Sequence, residues 1–258
     1  MAPFIPGVLR GSWDKREYIR DTILKEGEEF GIVEVGAAAY CSSGIESGWI
    51  QGVLPAIYTG ESTEGYRKSL TTMDLEVTNR LTGSYLRNNI EDYYRTPADL
   101  GYGRFVHFEH EFIGRDALRA MGDRPKLQKV TLAWNPDDTA ELLKQMVLPE
   151  GKNVKMLHLP IANDKTEVNY DRMTFQGKDA GCAHYSAYLA TERAMLTLSL
   201  VDESLKMGDE VEIHWGELGG GFGNYVAPGT DLMPIRAIVS PAPYSRVARE
   251  EYRIPVTA

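Results

Sequence analysis

A phenol, a carboxylate and an indole fall within ten residues of one another in the stretch Gly36-Ala-Ala-Ala-Tyr40-Cys-Ser-Ser-Gly-Ile-Glu46-Ser-Gly-Trp49. The residues around them are nearly all small, which lets main chain and a guest molecule approach closely. A tyrosine hydroxyl, with an ordinary pKa of about 10, can give a proton to a leaving group of similar acidity. Trp49 offers a large rigid face for packing against a flat ligand. Glu46 can accept from ring N–H groups, or equally pair with an arginine of its own domain. Read bare, the stretch is either the wall of a pocket or a tight packing joint in which Tyr40 parks its hydroxyl on backbone and Trp49 fills core.

A second group of candidates follows the Thr96-Pro97 turn, where two glycines flank Tyr102 and Arg104 comes next. The planar fork of Arg104 can take a carboxylate or form a surface ion pair. His107 and His110 are three residues apart but lie in an expected strand and turn with no third ligand nearby, so no metal site is expected. Gly219-Gly-Gly-Phe-Gly223 opens no helix and reads as a hairpin loop rather than a dinucleotide fingerprint.

The elements that must position these groups sit in a chain of 258 residues, 43% hydrophobic, with a net charge of -9. That length supports one large or two small domains with a proper core. Acids and bases are mixed, with no basic stripe for phosphates, so no nucleic-acid partner is expected. Two distant cysteines, Cys41 and Cys182, suggest neither a zinc site nor a disulfide framework, and a reducing, cytoplasmic setting fits. The N-terminus lacks the pattern of a signal peptide and no apolar run reaches membrane-spanning length, so no membrane partner is expected.

Residues 12 to 30 read as a helix with Ser12 at its N-cap and Gly31 as its stop. The run 31–36 reads as a strand or an extended lead into the Tyr40 stretch, and a short helix is expected around 64–70. Residues 74–90 have no clean periodicity. A strand is expected over Phe105-Val-His-Phe108, and a short helix over 112–121. The best boundary candidate is Gly122-Asp-Arg-Pro125. It divides an α+β region, 1–122, from a β-barrel-like domain, 123–258. Beyond it, strands are expected at 130–134, 172–175, 181–185, 194–200, 210–215 and 235–239, with one helix near 139–146, the pattern of a small antiparallel barrel or sandwich.

With these motifs in place, the chain resembles the C-terminal half of the tetrahydrofolate-dependent aminomethyltransferase (glycine-cleavage T-protein) superfamily. It looks most like the aromatic O-demethylases that act on vanillate- and syringate-type methoxybenzoates. The resemblance is carried by Tyr40 with Glu46-Ser-Gly-Trp49, by Asn89-Ile-Glu-Asp-Tyr-Tyr94 and Asp99-Leu-Gly-Tyr-Gly103, and by Phe112-Ile-Gly-Arg-Asp-Ala-Leu118. It continues through His214-Trp-Gly-Glu217 and Pro241-Ala-Pro-Tyr244.

What the resemblance implies is an α+β fold ending in a small antiparallel barrel, and methyl transfer from a methoxylated aromatic acid to tetrahydrofolate. It implies Tyr40 as general acid, Trp49 on the pterin side, and Glu46, Tyr102 and Arg104 as cofactor-binding candidates. Family members carry a further N-terminal half, so a second chain supplying it is the expected partner, a truncated longer protein being the competing reading. Leu9 stands where the family commonly has a pterin-binding glutamate. The alternatives are demethylation of a sulfonium or amine substrate, or a non-catalytic folate-binding or scaffolding subunit.

Overall fold

The computed structural model describes residues 10–50, 53–122, 127–161, 167–218 and 229–251. Leu9, residues 123–125 of the boundary candidate and the glycine run 219–223 lie outside that set.

The second half is a closed barrel. Strands β2 (Leu127–Trp134), β4 (Asp171–Phe175), β5 (Lys178–Leu189), β6 (Ala194–Asp202), β7 (Glu210–Trp215) and β8 (Met233–Ser240) pair antiparallel in the order β2-β6-β5-β4-β7-β8, with β8 closing on β2. All six expected strands are present, several of them longer than periodicity indicated, and closure decides between barrel and sandwich. Alternation along β2, β7 and β8 sends Val130, Leu132, Trp134, Val211, Ile213, Trp215, Ile235, Ala237 and Val239 inward. Helix α6 (Pro136–Val147), capped by the Asn135 side chain accepting from the Asp137 and Asp138 amides, packs the fully buried Leu142 against this core.

The first half has little core of its own. Helix α1 (Arg16–Gly27) follows one 3-10 turn, runs into a second (Glu28–Phe30) that ends where Gly31 turns left-handed (φ 68°), and buries no residue at all. Residues 32–36 form an extended lead but no strand, since no neighbouring strand pairs with them among the described residues. Helix α2 (Ala37–Ser47) docks instead on the outer face of the barrel against β5 and β6, where Ile45 joins a buried cluster with Leu196, Leu198 and Leu200 of β6. Helix α3 (Glu64–Ser69) stands where expected; α4 (Leu75–Thr78) and β1 (Arg80–Thr82) fill the unassigned stretch, and β1 pairs parallel with β3 (Glu167–Asn169). Helix α5 is Arg115–Ala120. The strand expected over 105–108 is absent: Gly103–Phe105 winds into a 3-10 turn and Phe105 stays exposed, having no sheet edge to join.

Between β1 and the barrel lies a buried polar network. Lys155 Nζ contacts Glu217 Oε1 and Asn169 Oδ1, each at 2.6 Å, and Asn169 Nδ2 donates to Asp171 Oδ2 at 2.7 Å. Glu217 Oε2 accepts the Gly83 amide at 2.7 Å, and Asp171 Oδ1 accepts that of Ser84. These bonds fasten the end of β1 to the barrel and satisfy charges that would otherwise be costly to bury.

Candidate functional site

Of the small residues around Tyr40, Gly44 and Gly48 are packed while Ala37, Ala39 and Ser43 stay exposed. Gly44 is buried at the barrel face, and the helix ends on Gly48 in the left-handed conformation (φ 70°). There the Gly48 amide bonds Ile45 O at 3.1 Å and the Trp49 amide bonds Gly44 O at 2.8 Å, the paired bonds of a glycine-terminated helix. A Cβ at Gly48 would stand 3.0 Å from the Pro243 nitrogen, so the absent side chain lets the helix end close against the 242–243 turn.

Docking Ile45 inward fixes what faces outward. At 100° per residue Tyr40 lies roughly 140° around the helix from Ile45, on one stripe with Ser43 and Ser47. Tyr40 is 60% exposed, and its ring has no packing partner among the described residues. The buried-tyrosine reading is therefore overturned. Glu46, half-buried, makes no ion pair or hydrogen bond among the described residues, which removes its pairing with a described arginine.

Trp49, 49% exposed, opens onto a cleft of about 480 Å³. Its other walls come from the Thr96–Phe105 turns and the barrel. Asp99 accepts from the Thr96 amide and hydroxyl, both at 2.8 Å, and the Tyr102 amide reaches Pro97 O at 2.7 Å, so consecutive tight turns project Tyr102 and Arg104 into the cleft. From β2 comes Lys129, whose Nζ lies 4.8 Å from the centre of the Tyr102 ring. The structure thus brings together Trp49, Tyr102 and Arg104, leaves Tyr40 about two helical turns up the same stripe, and places neither Tyr40 nor Glu46 on the cleft wall. Lys129 was not picked out from the sequence. A lysine on the outer face of a strand is what solvent exposure alone produces, so composition carries no signal for it.

The cleft has a distinctive charge. Among the described residues two cations, Arg104 and Lys129, line it and no carboxylate does, although the chain carries a net charge of -9. Arg104 lies 4.7 Å from the Phe105 ring and pairs with no acid among the described residues. Two cations beside two aromatic rings suit a flat ligand bearing carboxylates, and this donor set fits the benzoyl-glutamate portion of a folate.

Behind the segment that follows Trp49, Tyr170 receives the Leu54 amide on its hydroxyl at 3.0 Å and donates to Tyr93 O at 3.1 Å. Against it stand His184, ring centres 4.5 Å apart, and Cys182, whose Sγ is 3.2 Å from His184 Nε2 and 3.3 Å from Arg95 Nη2. Burial pushes the Tyr170 hydroxyl up to about 12 and the Cys182 thiol above its usual range. Burial, aided by the Arg95 charge, pushes the His184 imidazole down to about 3. These groups are neutral packing members, buried away from the cleft.

Comparison with known proteins finds relatives, among them the two that follow. Over 245 residues, 95% of this chain, it is 34% identical to syringate O-demethylase of Sphingobium sp. (strain NBRC 103272 / SYK-6), of which it covers 53%. Over 237 residues, 86% of this chain, it is 24% identical to sesamin methylene transferase of Sinomonas sp. (strain No.22), of which it covers 50%. No family model matches the chain. The chain spans about half the length of each of these curated relatives, and its homologues are of the kind the sequence resemblance implied.

Proposed function

We propose that this homologue of aromatic O-demethylases is the half of a methyl-transferring enzyme that carries the proton donor and the folate-side cleft. The reaction moves a methyl group from a methoxylated aromatic acid to tetrahydrofolate, leaving a phenol. The single observation that carries the reading is the common stripe: Tyr40 exposed on the outer face of α2, with an aromatic-walled cleft at the helix end that holds no carboxylate among the described residues. When bound, tetrahydrofolate supplies the amine that accepts the methyl group. Tyr40 donates its proton to the departing phenolate oxygen, where a phenol of matched acidity is effective. Trp49 packs the flat part of the cofactor, Tyr102 and Arg104 flank it, and Glu46, without an ion pair or hydrogen bond among the described residues, is available to its N–H groups.

The division after residue 122 enters this reading as two cooperating parts, since the cleft takes Trp49 and Tyr102 from the first and Lys129 and Pro243 from the second. The remaining half of the enzyme packs over Tyr40. The exposed Trp13, Phe30, Val33 and Val35 are the apolar surface on which a second chain of that kind docks.

The test is demethylation of syringate and vanillate with tetrahydrofolate, reading the new phenol, with the second half present. Tyr40→Phe is expected to keep the fold and lose turnover by about a hundredfold or more, the scale of a general acid. Near-normal turnover in that variant removes Tyr40 from the mechanism. A second reading, a folate-binding or scaffolding subunit, is favoured by the openness of Tyr40 on this chain, and full turnover by the other half alone would establish it.

A further inference from the structure

Two stretches of the first half wall the cleft: the end of α2 with Trp49, and the turns 96–105 with Tyr102. They are distant in sequence, and one buried hydroxyl ties the chain that leaves the first to the chain that enters the second. Tyr170, between β3 and β4, is fully buried. Its hydroxyl accepts the amide of Leu54, five residues after Trp49, at 3.0 Å, and donates to the carbonyl of Tyr93, three residues before the Thr96–Asp99 turn, at 3.1 Å. The ring is held in turn, with Tyr93 edge-on at 5.1 Å and Tyr85 stacked at 6.3 Å. The Tyr170 amide donates to Thr82 O and its carbonyl accepts from the Tyr85 amide, both at 2.9 Å. Burial raises the hydroxyl to about 12, so it stays a donor at any working pH.

Filling space here would need only a ring, yet both the donor and the acceptor of the phenol are spent on main chain of two separate segments. We propose that Tyr170 is a positioning residue for the cleft, its hydroxyl fixing the wall that carries Trp49 relative to the wall that carries Tyr102. It touches no ligand and acts through Leu54 and Tyr93. The assignment deepens the folate reading given above and rests on it for the identity of the ligand, while the tie between the walls stands on the geometry alone. A phenylalanine at this position keeps the ring contacts and leaves the Leu54 amide and the Tyr93 carbonyl unpaired. Those groups regain partners only by moving apart and admitting water, which loosens both walls together. Tyr40 lies on the exposed stripe of α2, outside this tie, so the chemical step keeps its proton donor.

Hydrogen exchange of the full chain compares the parent with Tyr170→Phe and Thr197→Val. Thr197 is a buried barrel residue whose hydroxyl also serves two partners, Trp134 Nε1 and Ser186 Oγ, each at 2.7 Å and none of them on the cleft. In the parent, the Leu54 amide is expected to exchange as slowly as barrel amides although it lies in no helix or strand. Tyr170→Phe is expected to speed exchange about tenfold or more in both 53–58 and 96–105, and Thr197→Val to leave those two segments at the parent rate. With the second half of the enzyme present, Tyr170→Phe is expected to raise the KM for tetrahydrofolate about tenfold and to change kcat by no more than about twofold. Adding Trp49→Ala to Tyr170→Phe is expected to raise KM no further than Trp49→Ala alone, because the group being positioned is gone.

A Leu54 amide that exchanges at loop rates in the parent overturns the proposal whatever the variants do. So does parent-like exchange of either segment in Tyr170→Phe. A KM raised equally by Thr197→Val, or effects of Tyr170→Phe and Trp49→Ala that simply multiply, would leave Tyr170 a stabiliser of the fold and nothing more. The reading on which the ligand rests fails separately. If both segments loosen in Tyr170→Phe while the parent shows no turnover with tetrahydrofolate, the tie between the walls stands and folate leaves the cleft.

Discussion

Tyr40 and His184 show how differently two ionisable side chains fare on the two faces of the same docking. Tyr40 is carried outward by its helix, whereas His184 is 5% exposed on a bulge of β5, where residue 183 pairs with Ser199 and residue 185 with Leu198. With burial and Arg95 holding its imidazole down at about 3, His184 is neutral in the folded chain throughout the neutral and mildly acidic range. In the unfolded chain it takes up a proton near pH 6.5. Its contribution to stability is therefore complete above that pH and drains as pH falls through 6.5 toward 3, by about 1.4 kcal/mol per pH unit.

Asp171 acts in the opposite sense. Burial raises its carboxyl to about 6, so the fold favours the protonated form and the contribution declines as pH rises from 4 to 6. Urea unfolding of the parent and of His184→Gln at pH 6.5 and 5.0 isolates the histidine. The variant is expected to lose about 2 kcal/mol less than the parent over that interval. Equal losses in the two proteins would mean that His184 is protonated in the fold.

At the scale of elements, the first half is held by what it leans on. Helix α2 hangs on Ile45, and β1 hangs on three paired residues and the amides of Gly83 and Ser84. Gly83 has φ 103°, and a Cβ there would overlap the Tyr170 carbonyl oxygen. Gly177, in the two-residue turn between β4 and β5, is also left-handed (φ 76°) but has open space around it. Gly177→Ala therefore meets only the backbone penalty, about 1 kcal/mol, whereas Gly83→Ala must also displace a strand and is expected to cost about 3 kcal/mol or more. Denaturant unfolding compares the two directly. A cost at Gly83 no greater than at Gly177 would show that β1 is not pinned to Tyr170.

At the scale of the whole molecule, core and surface are unevenly shared. The barrel holds Trp134 and Trp215 edge to face, 5.4 Å apart, inside a continuous apolar interior. The first half leaves Trp13, Phe30, Val33, Val35 and Ile113 in solvent. No helix among the described residues is long and apolar enough to cross a membrane. Such a surface favours association, through a second half of the enzyme or a second copy of this chain. Native mass spectrometry is expected to find an assembly, and Phe30→Asp with Val33→Asp is expected to weaken it about tenfold or more while leaving barrel stability unchanged. A lone monomer at all concentrations would remove the docking surface from the proposal.

The barrel was legible in the sequence because its physics is local. Alternation of period two, turn residues and short strand lengths place Glu210–Trp215 and its neighbours without knowledge of partners. Trp49, Tyr102 and Arg104 were also visible as candidates, through residue type and the turns that carry them. Three things needed the tertiary structure. Whether Tyr40 is buried depends on which face of α2 meets the barrel, and Ile45 decides that through contacts more than 140 residues away. The strand expected over 105–108 failed for want of a neighbouring edge, which no local pattern reports. Lys129 joins Arg104 only because strand β2 runs beside the 96–105 turns. Sequence sets what each segment can be, and long-range packing selects which of its faces is left to do chemistry.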